Sequence, residues 1–323
     1  MMVEQLPVLV LNPYGRCNCR CTMCDIWKNT DADELHLADV EEQLKSLENL
    51  NVSWIVLSGG EALMHRDLWK ITAALRTRNV RITLLSSGLL LSREAARIVE
   101  HIDDMIVSLD GPAEIHDAIR GVNGAFQSLA RGVCDLRRIK SGFPISARCT
   151  VQARNFEYLC DTADAARSIG LNSISFLAVD VGSEAFNRPL GWPREKRHAV
   201  CVAPNSLSRL GQELEELLAR NDDGFVRETS AKLQRIMNYF RALAGFESPV
   251  SPSCNAPWTS AVVEANGDVR PCFFHAPIGN LRRGLPLDAI VNSPQGLAFR
   301  ANLNIATNPI CQGCVCSLEW KGT

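Results

Sequence analysis

Three cysteines near the start of the chain stand in the spacing C-x3-C-x2-C. They are Cys17, Cys21 and Cys24, on a stretch that runs from Asn12 to Trp27. Iron–sulfur clusters are normally held by four cysteine thiolates, so three on one short loop leave one iron of a four-iron cluster open to a non-protein ligand. A structural zinc site instead needs four ligands, often two C-x2-C pairs, and no second pair lies near this loop.

This spacing resembles the defining motif of the radical S-adenosylmethionine (radical SAM) enzymes. The resemblance implies a 4Fe-4S cluster held by the three cysteines, with S-adenosylmethionine chelating the open iron and Met23 close to the cofactor. It also implies an electron from a reductant such as flavodoxin or ferredoxin, and a 5'-deoxyadenosyl radical that abstracts hydrogen from a substrate carbon. Only the 17/21/24 set has the family spacing, so we expect Cys19 to be a bystander thiol.

A second group of cysteines occupies the last third of the chain. Cys254 precedes two short predicted strands around Asn266-Gly267, a favoured two-residue hairpin turn, and Cys272 follows them. After Ile278-Gly-Asn-Leu281 and a predicted helix near 287–297 come three further cysteines, Cys311, Cys314 and Cys316. This order resembles the SPASM extension, or its shortened twitch form, of radical SAM maturases and dehydrogenases.

The number of cysteines limits how many clusters this extension can hold. A full SPASM extension needs about seven for two auxiliary clusters, whereas five lie here. The pattern resembles the single-cluster extension of an aminocyclitol dehydrogenase, which implies one auxiliary 4Fe-4S cluster ligated by Cys254, Cys272, Cys311 and Cys314. Cys316 is left over and could exchange roles with Cys314. Tetrahedral zinc on the same four cysteines is the alternative.

Alternating strands and helices must position these cysteines. Short apolar runs predict six strands and amphipathic runs predict the helices between them. The predicted strands cover 7–12, 54–58, 81–85, 105–109, 145–151 and 173–179, and the predicted helices cover 40–50, 67–78, 93–102, 126–140 and 156–168. This alternation predicts an α/β fold with a parallel sheet, a partial (β/α)6 TIM-like barrel with its site at the carboxyl ends of the strands. The family resemblance implies the same partial barrel.

Glycine and polar residues follow several predicted strands. Gly59 and Gly60 would let the backbone approach a ligand closely. In the family a Gly-Gly-Glu-Pro segment here contacts the methionyl amino group, and this chain has Glu61 followed by Ala62 in place of proline. Two strand-end serines, Ser86 and Ser108, are implied to contact the ribose, with ordinary strand-end capping as the alternative.

Three charged or titratable residues carry further expectations. Arg148 lies among apolar residues of the fifth predicted strand. A buried arginine needs an anionic partner, and the carboxylate of S-adenosylmethionine is the obvious one in this fold. A salt bridge to a covering helix is the alternative. His116 and Arg120 are also typical of the family, and we expect them to order a loop.

The pattern predicts a radical SAM barrel over 1–184, a helical linker or insertion over 185–250, and a small α+β auxiliary-cluster domain over 251–323. Within the insertion, amphipathic patterns predict helices over 207–220 and 231–243. Cys201 stands alone there, as packed thiols commonly do. In family members that invert a carbon centre such a thiol returns a hydrogen atom, so Cys201 and Cys316 are candidate hydrogen donors.

The composition of the 323 residues excludes several kinds of partner. A net charge of -2 offers no basic excess for nucleic acid. No apolar run reaches membrane-spanning length. The start of the chain lacks a signal-peptide pattern, so we expect the thirteen cysteines to be reduced, in a soluble cytoplasmic protein.

Three classes of function remain open. The first is an oxidoreductase or epimerase acting on a small polar natural product, sugar or aminocyclitol. The second is a maturase that modifies a peptide or protein, and the third is a non-catalytic metal-binding scaffold. The first strand begins near residue 7, without a preceding domain for a leader peptide, so we expect a small-molecule substrate. We expect oxidation rather than epimerisation, because the extension resembles that of a dehydrogenase.

Overall fold

The computed structural model describes residues 2–31, 33–188, 191–316 and 318–321. Six parallel strands follow one another across the sheet in chain order. They are β1 (Val8–Tyr14), β2 (Trp54–Gly59), β3 (Arg81–Ser86), β4 (Asp104–Ser108), β5 (Ile145–Val151) and β6 (Ser173–Ala178). The predicted partial barrel is confirmed.

Helices cover the outer face of these strands. They are α1 (Leu37–Glu41), α2 (Leu44–Asn49), α3 (Leu68–Arg76), α4 (Leu91–His101), α5 (Ala113–Arg120), α6 (Ala125–Ile139) and α7 (Leu159–Ser168). The single helix predicted over 40–50 is wrong, because the chain forms two short helices, α1 and α2, around that stretch. Helix α5 was not predicted, since its eight residues are too few to show a clear helical period.

Alternate strand residues face opposite sides of the sheet, and the two sides differ in burial. Ile55, Leu57, Ile82 and Leu84 are fully buried. The opposite, inner face of the sheet leaves room for polar side chains, because six strands do not close a barrel. Arg148 lies on this inner face and is exposed, so the expectation of a buried arginine is wrong.

The insertion contributes three helices, α8 (Arg194–Val200), α9 (Leu207–Ala219) and α10 (Ser230–Leu243). Helices α9 and α10 lie where amphipathic patterns predicted them, whereas the short α8 was not predicted. Helix α10 packs against β6 and buries Leu233, Ile236 and Phe240. It therefore forms a wall beside the last barrel strand.

The C-terminal extension continues the barrel sheet. Strand β7 (Ser260–Val263) pairs in parallel with β1, from Val8 opposite Ser260 to Leu11 opposite Val263. Strands β8 (Asp268–Arg270) and β9 (Gly279–Asn280) follow in antiparallel order, which gives a nine-stranded sheet among the described residues. The extension also contains the short helices α11 (Ala256–Thr259), α12 (Leu287–Val291), α13 (Pro294–Asn302) and α14 (Pro309–Gln312).

The helix predicted near 287–297 is wrong in its extent. The chain forms α12 and α13 there, and Pro294 begins the second helix after the Ser293 cap. Proline has no backbone N–H and is tolerated at the first position of a helix but not within it. No helix in the described part of the chain combines the length and the apolar character that a membrane span requires.

Candidate active site and auxiliary cysteine site

The three cysteines of the N-terminal motif line one cavity of about 230 Å³ at the carboxyl ends of the barrel strands. The carboxyl ends of parallel strands meet at one edge of the sheet, so residues distant in sequence converge there. Six of the seven residues predicted to bind the cofactor line the same cavity: Met23, Gly59, Gly60, Ser86, Ser108 and Arg148.

The cysteine loop is bound to the end of α5. The Arg20 N–H donates to the Arg120 carbonyl at 2.8 Å, and the Thr22 N–H donates to the Ile119 carbonyl at 3.0 Å. Gly121 ends α5 in the left-handed region, with a φ of 64°. A Cβ at Gly121 would lie 2.6 Å from the Arg20 carbonyl oxygen, so the close approach of loop and helix requires glycine there.

A buried ion pair lies beneath the loop. Arg120 Nη2 is 2.5 Å from Asp110 Oδ2, and Arg120 Nη1 donates to Cys21 Sγ at 3.5 Å. A hydrogen bond from the Cys19 thiol, together with the Arg120 charge, lowers the pKa of Cys21 to about 6 against the opposing effect of burial. The deprotonated thiolate, which is the form that binds iron, is therefore favoured at Cys21.

His116 and Cys19 support the loop from either side. The Asp110 N–H donates to His116 Nδ1 at 3.1 Å, and burial lowers the pKa of His116 to about 3, so this imidazole is neutral. Cys19 is only 2% exposed and hydrogen-bonds both Cys17 and Cys21. Those bonds and burial raise the pKa of Cys19, which makes it the protonated partner of its neighbours.

The insertion holds the loop from a third side, which the sequence did not reveal. Asp25 accepts hydrogen bonds from Trp192 Nε1 at 2.6 Å and Lys196 Nζ at 2.7 Å. Against the effect of burial, bonds from Lys196, Lys28 and Trp192 lower the pKa of Asp25 to about 2. Arg188 donates to the Met23 carbonyl at 3.2 Å and pairs with Asp180. The only sequence feature that could have indicated these contacts is the charge of the insertion, a segment without a recognised motif.

The Glu61 side chain differs from the expectation that it contacts the cofactor. It is completely buried, and its carboxylate accepts from Ser86 Oγ, from the Ser87 N–H and hydroxyl, and from the Leu63 N–H. Glu61 does not line the cavity among the described residues. Its carboxylate instead ties the end of β2 to the end of β3 and orients the Ser86 hydroxyl.

The two candidate hydrogen donors lie in different places. Cys316 is exposed and lines the 230 Å³ cavity. It also lines a second cavity of about 150 Å³, which β6 and α10 form beside the first. Cys201 is half-buried after α8, and burial raises its pKa to about 11. Within the described chain, Cys201 lines none of the cavities that hold the other site residues.

The remaining four C-terminal cysteines converge elsewhere. Cys254, Cys272, Cys311 and Cys314 line a cavity of about 30 Å³. His275 lines it too, with Nε2 3.5 Å from Cys311 Sγ, and sequence reasoning missed this residue. Arg235 of α10 donates to the Cys314 carbonyl. The hairpin of β7 and β8 brings Cys254 and Cys272 together, and α14 presents Cys311 beside Cys314.

Comparison with known proteins identifies the two parts. Residues 11–179 match the radical SAM superfamily, and residues 254–315 match the SPASM iron–sulfur cluster-binding domain. The chain belongs to the radical SAM superfamily. It carries the radical SAM 4Fe-4S cluster, S-adenosylmethionine and a SPASM auxiliary iron–sulfur cluster. The residues fit these groups, because each cavity brings together several cysteine thiols, the ligands that iron–sulfur clusters require.

Individual relatives match over different extents. The Fe-coproporphyrin III synthase of Methanosarcina barkeri is 30% identical over 156 residues, which are 47% of this chain and 39% of the relative. The subtilosin biosynthesis protein AlbA of Bacillus subtilis is 23% identical over 292 residues, 86% of this chain and 58% of the relative. This chain thus spans between 39% and 58% of the length of these relatives.

A solved structure resembles the whole fold. Streptococcus suis SuiB bound to its precursor peptide SuiA has a TM-score of 0.69 at 14% identity. The match covers 98% of this chain and 72% of SuiB. At this identity the likeness establishes the fold, including the attachment of a C-terminal extension to a partial barrel.

Replacing Gly60 by alanine should damage the active site. The new Cβ would lie 1.9 Å from the Arg16 carbonyl oxygen, which also accepts the Glu61 N–H at 2.8 Å, so the cysteine loop must move. We expect 5'-deoxyadenosine formation by dithionite-reduced protein to fall about 100-fold. Gly142→Ala is the matched control, since a Cβ there meets nothing within 4 Å. Equal activity of the two variants would contradict the tight contact.

The cysteine set can be tested separately. Changing Cys17, Cys21 or Cys24 to alanine should abolish 5'-deoxyadenosine formation, because each change removes one of three protein ligands. Cys19→Ala should retain 5'-deoxyadenosine formation, because Cys19 lies outside the C-x3-C-x2-C spacing and its thiol only hydrogen-bonds the neighbouring cysteines. Iron content and product are measured for all four variants. An equal loss in Cys19→Ala would show that the triad is wrongly assigned.

Proposed function

We propose that this protein is a radical SAM enzyme that removes a hydrogen atom from a side chain of a peptide substrate. The observation that carries the proposal is the match of the bacteriocin biosynthesis protein AlbA to 86% of this chain, across both the barrel and the cysteine-rich extension. Pockets for drug-sized ligands measure roughly 300–1,000 Å³. The space beside the cofactor cavity, about 150 Å³, is smaller and accommodates a single side chain of a substrate whose remainder lies outside.

The comparisons support a peptide substrate over the small molecule expected from the sequence. AlbA, which matches 86% of this chain, is a bacteriocin biosynthesis protein, and SuiB was solved with a precursor peptide. Fe-coproporphyrin III synthase, by contrast, matches only about half of the chain. A relative that extends across both the barrel and the cysteine-rich extension is the better guide to a substrate that binds between them.

The proposal gives a role to each predicted cluster ligand and cofactor-binding residue that lines the first cavity. Cys17, Cys21 and Cys24 hold the 4Fe-4S cluster, which with S-adenosylmethionine supplies a 5'-deoxyadenosyl radical when bound. The backbone at Gly59 and Gly60 accepts a hydrogen bond from the methionyl amino group of S-adenosylmethionine. Arg148 pairs with the carboxylate of the same cofactor. Ser86 and Ser108 bond the ribose, and the Met23 side chain packs beside the cofactor. All of these residues line one cavity.

The auxiliary cluster is assigned to Cys254, Cys272, Cys311 and Cys314. Support comes from their shared cavity and from the position of Cys316, which faces the barrel interior instead. His275 contacts Cys311 and orients its sulfur. Arg235 brings a positive charge to the same cysteines, which offsets the negative charge of a four-thiolate cluster.

A second candidate keeps the small polar substrate, which would be oxidised or epimerised. The observation in its favour is the free Cys316 thiol at the junction of the two cavities, where a hydrogen atom could be returned to a substrate carbon. For either substrate we place the enzyme in the cytoplasm with a flavodoxin or ferredoxin as reductant. The thirteen free cysteines support a reducing compartment.

The two metal sites should load independently. A Cys17/Cys21/Cys24→Ala triple variant, reconstituted anaerobically, should still hold about four irons per chain through the C-terminal cysteines. We expect the C-terminal site to keep its irons because the two groups of cysteines line separate cavities. Iron and zinc are measured by elemental analysis. Zinc without iron in the triple variant would replace the auxiliary cluster by a structural zinc site.

The reaction itself is tested in deuterated water. Reconstituted enzyme is incubated with peptides encoded by neighbouring genes and, in parallel, with small polar metabolites, and 5'-deoxyadenosine and product masses are recorded. We expect a peptide to lose two mass units, since removal of two hydrogens is the net result of oxidation or cross-linking. Turnover of metabolites alone would reject the peptide. One carbon-bound deuterium in an isomeric product, lost in Cys316→Ala, would establish epimerisation instead.

A further inference from the structure

The 150 Å³ cavity adjoins the cofactor cavity, and four residues line both of them. Arg148 and Leu177 of the barrel and Val315 and Cys316 of the extension line both spaces. The outer wall belongs to the insertion, which supplies Lys232, Arg235, Ile236 and Tyr239 from α10. A group held in this cavity therefore lies next to the cofactor site.

Charge in this cavity is strongly unbalanced. Three cations, Arg148, Lys232 and Arg235, face one carboxylate, that of Glu228. Arg148 uses its Nε to donate to Ser175 Oγ at 2.7 Å, and its two terminal nitrogens have no hydrogen-bond partner in the described chain. The Lys232 ammonium likewise makes no hydrogen bond or ion pair with described residues. One guanidinium group and one ammonium group therefore have free donors at this cavity.

The carboxylate of Glu228 is the second unusual feature. Its Oε2 is buried and has no hydrogen-bond partner among the described residues. Buried acceptors are almost always paired, and an unpaired one is unfavourable unless a ligand or water supplies a donor. The cavity lining therefore combines free donors with an unpaired acceptor.

We propose that this cavity binds an acidic residue of the peptide substrate. The side-chain carboxylate pairs with Lys232, because a charge-assisted hydrogen bond to a carboxylate is the strongest that an ammonium forms, while Arg148 stays with the carboxylate of S-adenosylmethionine. The peptide N–H of the same residue donates to Glu228 Oε2. An aspartate or glutamate residue carries both groups at a separation that one small cavity spans. This inference rests on the peptide substrate proposed above.

The free thiol of Cys316 provides a direct probe of the cavity. Holoenzyme with S-adenosylmethionine is alkylated with iodoacetate, which is anionic, and with neutral iodoacetamide, and each cysteine is quantified by mass spectrometry. A cationic cavity should raise the iodoacetate-to-iodoacetamide rate ratio at Cys316 about tenfold over that at Cys134. Cys134 is exposed on α6, outside the cavity, and serves as internal reference.

Matched charge variants then localise the effect. Lys232→Gln should lower the rate ratio at Cys316 at least threefold, whereas Lys45→Gln, which removes an exposed charge on α2, should leave it unchanged. Iron content confirms that both variants are loaded. Equal ratios at Cys316 and Cys134, or no effect of Lys232→Gln, would overturn the proposal. So would failure of both reagents to modify Cys316, since the cavity would then be closed to ligands.

Protection experiments separate this proposal from the proposed function. N-acetyl-L-glutamate N-methylamide should slow alkylation of Cys316 by iodoacetamide, and the glutamine analogue should protect at least about tenfold less well. Glutamate-specific protection without turnover of any peptide would keep the acidic subsite and reject the peptide reaction. Peptide turnover with equal protection by both probes would reject the subsite alone.

Discussion

The ion pair between Arg120 and Asp110 is the interaction on which the active site depends. Its two side chains are almost fully buried, and the pair lies directly beneath Cys21. Asp110 also accepts the Thr150 N–H through Oδ1 and the Asn155 side-chain amide through its carbonyl. Removing one member of a buried pair typically costs about 3–5 kcal/mol, because the other charge is left uncompensated. A single carboxylate thus joins the cysteine loop to the ends of β4 and β5.

The C-terminal extension reaches the same cavity because it is part of the barrel sheet. Asn12 of β1 donates to Glu264 at 2.8 Å, just beyond the β1–β7 pairing. Asn255 then fixes the last described segment, accepting the Trp320 N–H at 2.8 Å and donating to its carbonyl at 2.7 Å. These bonds hold the chain after Cys314 in place, so that Cys316 faces the barrel interior while Cys314 stays with the auxiliary cysteines.

Local sequence patterns were enough to locate the strands, and long-range contacts account for what they missed. The predicted β5 has the observed bounds, since buried strands show their apolar run directly. The cysteine spacing and the Asn266-Gly267 turn likewise indicate sites that are close in sequence. By contrast, the burial of Glu61 depends on serines some 25 residues away, and the roles of Asp25 and His275 depend on partners in other elements. The burial predicted for Arg148 is wrong because an open barrel leaves the inner face of a strand accessible to solvent.

Positive charge is distributed in a way that couples the cysteine sites to the rest of the fold. Arg120 approaches Cys21, Arg188 acts on Cys24, and Arg235 acts on Cys314. Each arginine lies on a different segment from its cysteine. Arg120 is on α5, Arg188 is in the insertion before α8, and Arg235 is on α10. Thiolates form on metal binding, and buried anions need nearby cations. The thiolates that would hold the clusters therefore face cations supplied by the insertion, Arg188 beside Cys24 and Arg235 beside Cys314.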